Sequence, residues 1–209
     1  MALILKLTHV QRLAPRGESL CLYFYGITVF KLKIDKQLEL VLVEPSFSRS
    51  YYNIVIEERD YLGKWLVWPM YADSEEFFSS FVNKSLDDYE KGKSLTCAII
   101  YCDELVGNIG FNTISQELKK VEVGYWLSSK YQGKGIVTKS LSELITYAFG
   151  PLNMDRVQVS VATENVPSRK VCERLGFTFE GAISNSENLN GRIVDHAIYS
   201  LSKEQWVET

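Results

Sequence analysis

The chain is poor in the residues that specialised chemistries require. Its 209 residues include 4 cysteines, 2 histidines and 5 prolines. The cysteines stand at 21, 97, 102 and 172, no two at the C-x-x-C spacing of a zinc or redox site, with only His9 and His196 to complete one. No metal is expected, and scattered thiols fit a reducing compartment, the cytoplasm, better than a disulfide scaffold. Long hydrophobic runs are also lacking. The apolar stretch at 19–34 is too short, and too interrupted by Gly26, Lys31 and Lys33, to span a bilayer. It is not followed by a small-residue cleavage site, and Pro15 and Gly17 separate it from Lys6, Arg12 and Arg16, so no secretory signal or membrane role is expected. Neither sign of charge dominates: 23 Lys+Arg against 26 Asp+Glu give a net charge of -3, which argues against a dedicated nucleic-acid binder while leaving room for a local basic site.

What is present is an ordinary globular composition, 46% hydrophobic and 23% charged. Residues 37–44 alternate polar and apolar as a half-buried strand does, and Pro45 and Ser46 lead into a helix that runs to about residue 58. Asp73 followed by Glu76 reads as the capping box of a second helix, broken at Gly92. Between these helices lies an aromatic segment with Trp65 and Trp68, whose large side chains suit either core packing or a ligand wall. Strand-like runs at 95–101, 105–114 and 120–127 form an antiparallel meander, the first two joined by a short turn. Gly133-Lys134-Gly135 then opens a helix with Val137, Leu141, Leu144, Ile145 and Ala148 on one face. A strand at 156–161, a helix at 167–175 closed by Gly176, and two strands at 177–183 and 193–201 around an Asn- and Ser-rich loop complete the order. Residues 1–28 read as an N-terminal extension and 29–209 as a single domain.

Several enzyme classes are excluded by motif. No G-x-G-x-x-G follows a strand, no Walker A spacing occurs, and no G-x-S-x-G elbow is present. The turn at Gly133 nevertheless leads from a strand into a helix, where free backbone N–H groups and the positive end of the helix dipole can hold an anion. Lys130, Lys134 and Lys139 surround it, with no acid in residues 128–139. In the preceding strand, Val121, Val123, Tyr125 and Leu127 form an apolar face, and Glu122 shares the opposite face with Gly124 and Trp126. Glu122 is either an exposed strand glutamate or a base held a few residues from a bound ligand. Ser168 and Cys172, four apart, lie on one helix face with Leu175. Ser168 either bonds to backbone or does chemistry, and Cys172 is either a small core residue or a nucleophile.

The run from Glu122 to Leu127, then Tyr131-Gln-Gly-Lys-Gly-Ile136, then Asn165-Val-Pro-Ser through Leu175-Gly-Phe177, resembles the GNAT superfamily of acetyl-CoA-dependent N-acetyltransferases. Within it the chain is most similar to the RimL/RimJ group, which acetylates N-terminal amines of ribosomal proteins; the likeness spans about residues 29–206. The resemblance implies an α/β (α+β) GNAT fold, a mixed sheet of about six to seven strands flanked by about four helices. It implies acetyl-CoA as co-substrate, its pyrophosphate held by Gln132, Gly133, Lys134, Gly135, Ile136 and Val137, the last standing where the family has Gly or Ala. Trp126 and Leu127 would pair with the pantetheine arm, and backbone N–H groups near residues 124–126 would stabilise the oxyanion. Asn165 would hold the donor or order a water. Glu122 would be the general base and Ser168 the proton donor to the thiolate, with Cys172 as a second candidate, and Trp65 and Trp68 would line the acceptor side. The acceptor implied is a protein N-terminus. A small amine such as a polyamine or aminoglycoside, and a non-catalytic coenzyme A-binding module, are the alternatives. Only Asp73 is acidic within residues 65–73, which favours a peptide over a polycation. The sequence is also compatible with a homodimer.

Overall fold

The computed structural model describes residues 22–24 and 27–206. Most of the proposed extension, with Cys21 and His9, and the last three residues lie outside these. Strands β1 (Leu22–Phe24) and β2 (Ile27–Val29) pair with each other as a separate hairpin. A second sheet contains β3 (Lys31–Lys33), β4 (Leu38–Leu42), β5 (Leu95–Tyr101), β6 (Glu104–Ser115), β7 (Lys120–Leu127), β8 (Arg156–Ala162), β9 (Thr178–Leu189) and β10 (Arg192–Ser202). Its order is β3-β4-β5-β6-β7-β8-β10-β9, and every pairing is antiparallel except β7 with β8. The sheet is therefore mixed, with eight strands rather than the six to seven expected. The helices are α1 (Ser48–Leu62), α2 (Glu75–Glu90), α3 (Ile136–Phe149) and α4 (Val166–Arg174).

The period-2 alternation of the strands sorts side chains onto two faces, and each face acquires its own helices. One core joins Leu40, Ile99, Phe111 and Val121 to Leu141 and Ile145 of α3 and Val171 of α4. The other joins Ala98 to Tyr51 and Val55 of α1 and Phe78 and Val82 of α2. There the Asn108 amide donates to the fully buried Tyr51 hydroxyl at 2.9 Å, giving a polar group in an apolar layer its partner. Trp68 packs on Phe77, Phe78 and Trp126 at ring separations of 6.0 to 6.4 Å, while only Pro69 and Ala72 of the segment between α1 and α2 are buried.

Two local readings change. The cap of α2 is Ser74 rather than Asp73: Ser74 has extended backbone and accepts from the Phe77 N–H at 3.3 Å. The Asn- and Ser-rich loop is strand. β9 and β10 continue to a two-residue turn at Asn190-Gly191, both in the left-handed region. Polarity misled because β9 is an edge strand, and strand faces turned to water carry polar residues. Two residues with positive φ, Cys102 and Asp103, likewise make the tight turn between β5 and β6.

Close backbone approach fixes Gly110 in β6. A Cβ there would lie 2.0 Å from the Leu95 carbonyl oxygen of β5, with no flexible side chain to yield. Gly110→Ala is expected to cost about 3 kcal/mol or more of unfolding free energy. Urea denaturation followed by circular dichroism measures it, and a loss below ~1 kcal/mol would refute this packing constraint.

Candidate active site

The parallel pair β7–β8 is joined only over residues 120–123 and 156–159. Beyond Val123 and Val159, β7 stays with β6 and β8 with β10, so the two strands part. The bulge in β6 lies beside this point. Asn112 has no partner in β7, and its side-chain amide occupies the space above Gly124, 2.5 Å from where a Cβ would stand. A cleft of about 990 Å³ occupies the gap and opens to both faces of the sheet. That volume suits a sizeable organic ligand.

On the face shared with α1 and α2, Glu122 is half-buried and lines the cleft, accepting a hydrogen bond from Ser160 Oγ at 2.8 Å. Trp65, Leu66, Val67 and Trp68 form the wall on this side. Trp65 lies under the Arg192 guanidinium at 5.2 Å, itself ion-paired with Glu164. His196 and Glu187, 3.1 Å apart, line the far end.

On the other face, Asn165 caps α4 by accepting from the Ser168 N–H, and both residues line the cleft. The Ser168 hydroxyl lies 2.7 Å from the hydroxyl of Tyr125, another lining residue. Burial first, and the neighbouring Cys172 second, push the Tyr125 pKa well above the ordinary tyrosine value, so it remains a neutral hydroxyl. Cys172 itself is a correction to the catalytic set. Although it shares a helix face with Ser168, it is fully buried among core residues, is not a cleft wall, and has its thiol pushed up to about 12 by burial.

The glycine turn closes the third side. Gly133 and Gly135 both adopt φ of 74°, a region that favours glycine, and Gly135 begins α3 without a side-chain cap, unlike α2 and α4. The first N–H groups of Ile136, Val137 and Thr138 thus face a region where an anion would complete them. Gln132, Gly133, Gly135, Ile136 and Val137 line the cleft beside Trp126 and Leu127. Lys134 is not among the walls. Its ammonium rests over the rings of Tyr101 and Tyr131 at 5.5 and 5.0 Å. The basic cluster expected here is also partly neutralised from distant segments, Lys130 by Glu57 at 2.6 Å and Lys139 by Asp35 at 2.8 Å. Arg174, missed in the sequence, adds a cation at the cleft instead, donating to Thr138 Oγ1 in the first turn of α3. Tyr125 was also missed as a functional group, because its place on the apolar face of β7 marked it as core.

A family model described as an acetyltransferase (GNAT) domain matches residues 38–178. The chain is 31% identical to YdaF of Bacillus subtilis (strain 168), over 85% of this chain and 98% of that protein. It is 30% identical to the ribosomal-protein-serine acetyltransferase of Escherichia coli (strain K12), over 81% of this chain and 94% of the relative. Among solved structures, a RimL ribosomal L7/L12 α-N-protein acetyltransferase in complex with coenzyme A superposes with a TM-score of 0.80 at 28% identity, covering 83% of this chain and 98% of that one.

Burial separates the thiols. Brief alkylation of the native protein is expected to label exposed Cys102 and spare Cys97 and Cys172 until denaturant is added, because the thiolate is the reacting form. Peptide mapping by mass spectrometry reads the result; rapid native labelling of Cys172 would contradict its core placement.

Proposed function

The chain belongs to the acetyltransferase (GNAT) family, and we propose that it moves the acetyl group of acetyl-CoA onto the N-terminal α-amine of a protein in the cytoplasm, a ribosomal protein being the class its relatives name. The observation that carries this reading is the cleft between the parted β7 and β8. It brings Glu122 from one face of the sheet and the Ser168–Tyr125 pair from the other to a single cavity.

The donor enters from the α3–α4 side. Backbone N–H groups of the turn at 132–137 and the first turn of α3 receive its diphosphate, with Arg174 adjacent. Val137 serves in place of Gly or Ala, since the bonds come from the main chain. Beyond Val123, β7 offers an edge to which an amide-bearing pantetheine arm adds like a strand, and Asn165 bonds to it from the start of α4. Alternate N–H groups of β7 point away from β6, and one of these stabilises the oxyanion of the tetrahedral intermediate.

The acceptor enters on the α1–α2 side between the tryptophan wall and Glu122. An α-ammonium has a pKa near ~8, so only a minority is neutral at pH 7, and one carboxylate suffices to take the surplus proton. Ser160 holds the Glu122 carboxylate in place. Glu122 passes that first proton to solvent through the open cleft; the amine nitrogen then attacks the thioester carbonyl, the C–N bond forms, the C–S bond breaks, and the proton shed by the acylated nitrogen passes to the regenerated Glu122 carboxylate. The departing thiolate takes the Ser168 hydroxyl proton while the Tyr125 hydroxyl donates to Ser168 Oγ, and the proton released from Glu122 to solvent is balanced by one that solvent returns to Ser168. Only Glu122 and Glu187 are acidic among the residues that line the cleft, few carboxylates for a polycation, which supports a peptide acceptor.

Glu122→Gln is expected to keep coenzyme A affinity within about twofold by calorimetry and to lower turnover near pH 7 by ~10²-fold or more. Unchanged turnover would remove Glu122 as base. A panel of peptides with varied first residues, run beside spermidine and analysed by mass spectrometry, is expected to yield acetyl products on peptide α-amines. Products on spermidine alone would overturn the protein-acceptor reading.

A further inference from the structure

The backbone of α1 departs from helical geometry at Glu58, with φ of −117° and ψ of 20°, and the side chain of this residue is almost completely buried. Its carboxylate accepts from Ser128 Oγ at 2.7 Å, the Ser129 N–H at 2.7 Å and Ser129 Oγ at 3.1 Å. These partners are all neutral donors, and a buried carboxylate is costly without such bonds. They stand at the cap position and the start of the short 3-10 turn, residues 129–131, that leads into the glycine turn. Ser128 stands where a local cap would be, yet it makes no cap; its hydroxyl is given to Glu58, and Glu58 takes over the capping of Ser129. The flanking residues of α1 grip the same segment. Glu57 pairs with Lys130 at 2.6 Å, and the Gln132 amide meets the Tyr61 hydroxyl.

We propose that Glu58 is a positioning residue: through α1 it braces residues 128–132 from behind and so sets how well the following glycine turn holds the diphosphate of the donor. The inference rests on the reading of that turn given under Proposed function. The two glycines bring no side chains of their own to pin the turn. Both have positive φ, and side chains added at either would meet nothing within 4 Å. An anion site made of main-chain N–H groups needs those groups fixed in advance, because each degree of freedom frozen on binding weakens affinity. Removing the negative charge of Glu58 would by itself favour an incoming diphosphate, whereas removing the brace would disfavour it. The two effects have opposite sign, and the brace is expected to dominate.

The test compares two donors, acetyl-CoA and S-acetyl-pantetheine, which lacks the diphosphate and nucleotide. Wild type is expected to prefer acetyl-CoA in kcat/KM. Glu58→Ala, which leaves the Ser129 N–H without its acceptor, is expected to reduce that preference at least tenfold through a raised KM for acetyl-CoA. Glu58→Gln is expected to restore most of it, since its amide oxygen can accept from Ser129 N–H while its NH₂ donates to the two serine hydroxyls. A preference unchanged in Glu58→Ala, or equal losses with both donors, would overturn the proposal. Tighter acetyl-CoA binding by either variant would do so as well, by making charge the dominant effect. Should Glu58→Ala not fold, the double variant Ser128→Ala/Ser129→Ala removes two of the three donors from the other side and is read by the same ratio. A wild type with no preference for acetyl-CoA would instead overturn the diphosphate reading on which the proposal rests.

Discussion

Everything at the candidate site depends on one break in hydrogen bonding. β7 and β8 form the sheet's parallel junction, and that junction is four residues long before each strand follows its antiparallel neighbour away. A sheet interior with unpaired strand edges would be unstable if both edges were buried and dry, because backbone polar groups need partners. Here they border a cleft, where a ligand carrying its own amides can supply what the neighbouring strand does not. The bulge at Asn112 and the lack of a side chain at Gly124 lie beside the break, so the sheet is shaped by the same residues that shape the cavity.

The break also makes two faces of one sheet chemically continuous. Glu122 and Tyr125 point to opposite sides of β7, as odd and even strand positions must, and would ordinarily be separated by a layer of backbone. Where the strands part, both border the same space. The direct transfer proposed above, with the base on the acceptor side and the hydroxyl pair on the donor side, rests on this geometry. The helices divide in the same way. α3 and α4 present their N-terminal turns to the cleft from one side, and α1 with the segment after it walls the other. Glu58 links the two sides, since α1, which lines the cleft with Tyr61 and Leu62, also bonds to the turn leading to α3.

Much of the fold was legible because strand and helix signals are local. β5 and β7 occupy the ranges predicted for them, and α3 begins at the glycine turn and buries the apolar face read from its spacing except Val137, which lines the cleft. The polar half of β9 was not legible, although β10 was: an edge strand owes its pairing to main-chain bonds, and polar side chains facing water give no strand signal. At the site, the glycine turn and the cleft-facing Glu122 could be anticipated from spacing and turn chemistry, whereas the capping of α4 by Asn165 was not read from the sequence. Tyr125 could not, because a tyrosine on an apolar strand face reads as core until its hydroxyl is seen to meet Ser168.

The sequence alone determined the type and order of the elements, the glycines that must turn with positive φ, and which side of β7 carries a carboxylate. These follow from short-range sterics and from periods of 2 and 3.6 residues. Tertiary structure decided which member of a same-face pair meets the cleft, placing Ser168 at the wall and Cys172 in the core. It also decided that Lys130 and Lys139 are neutralised by Glu57 and Asp35, and that a buried glutamate caps a turn 70 residues away. The reason is physical: charge, burial and proton affinity at a point are sums over neighbours, and in a folded chain most of those neighbours come from elsewhere in the sequence.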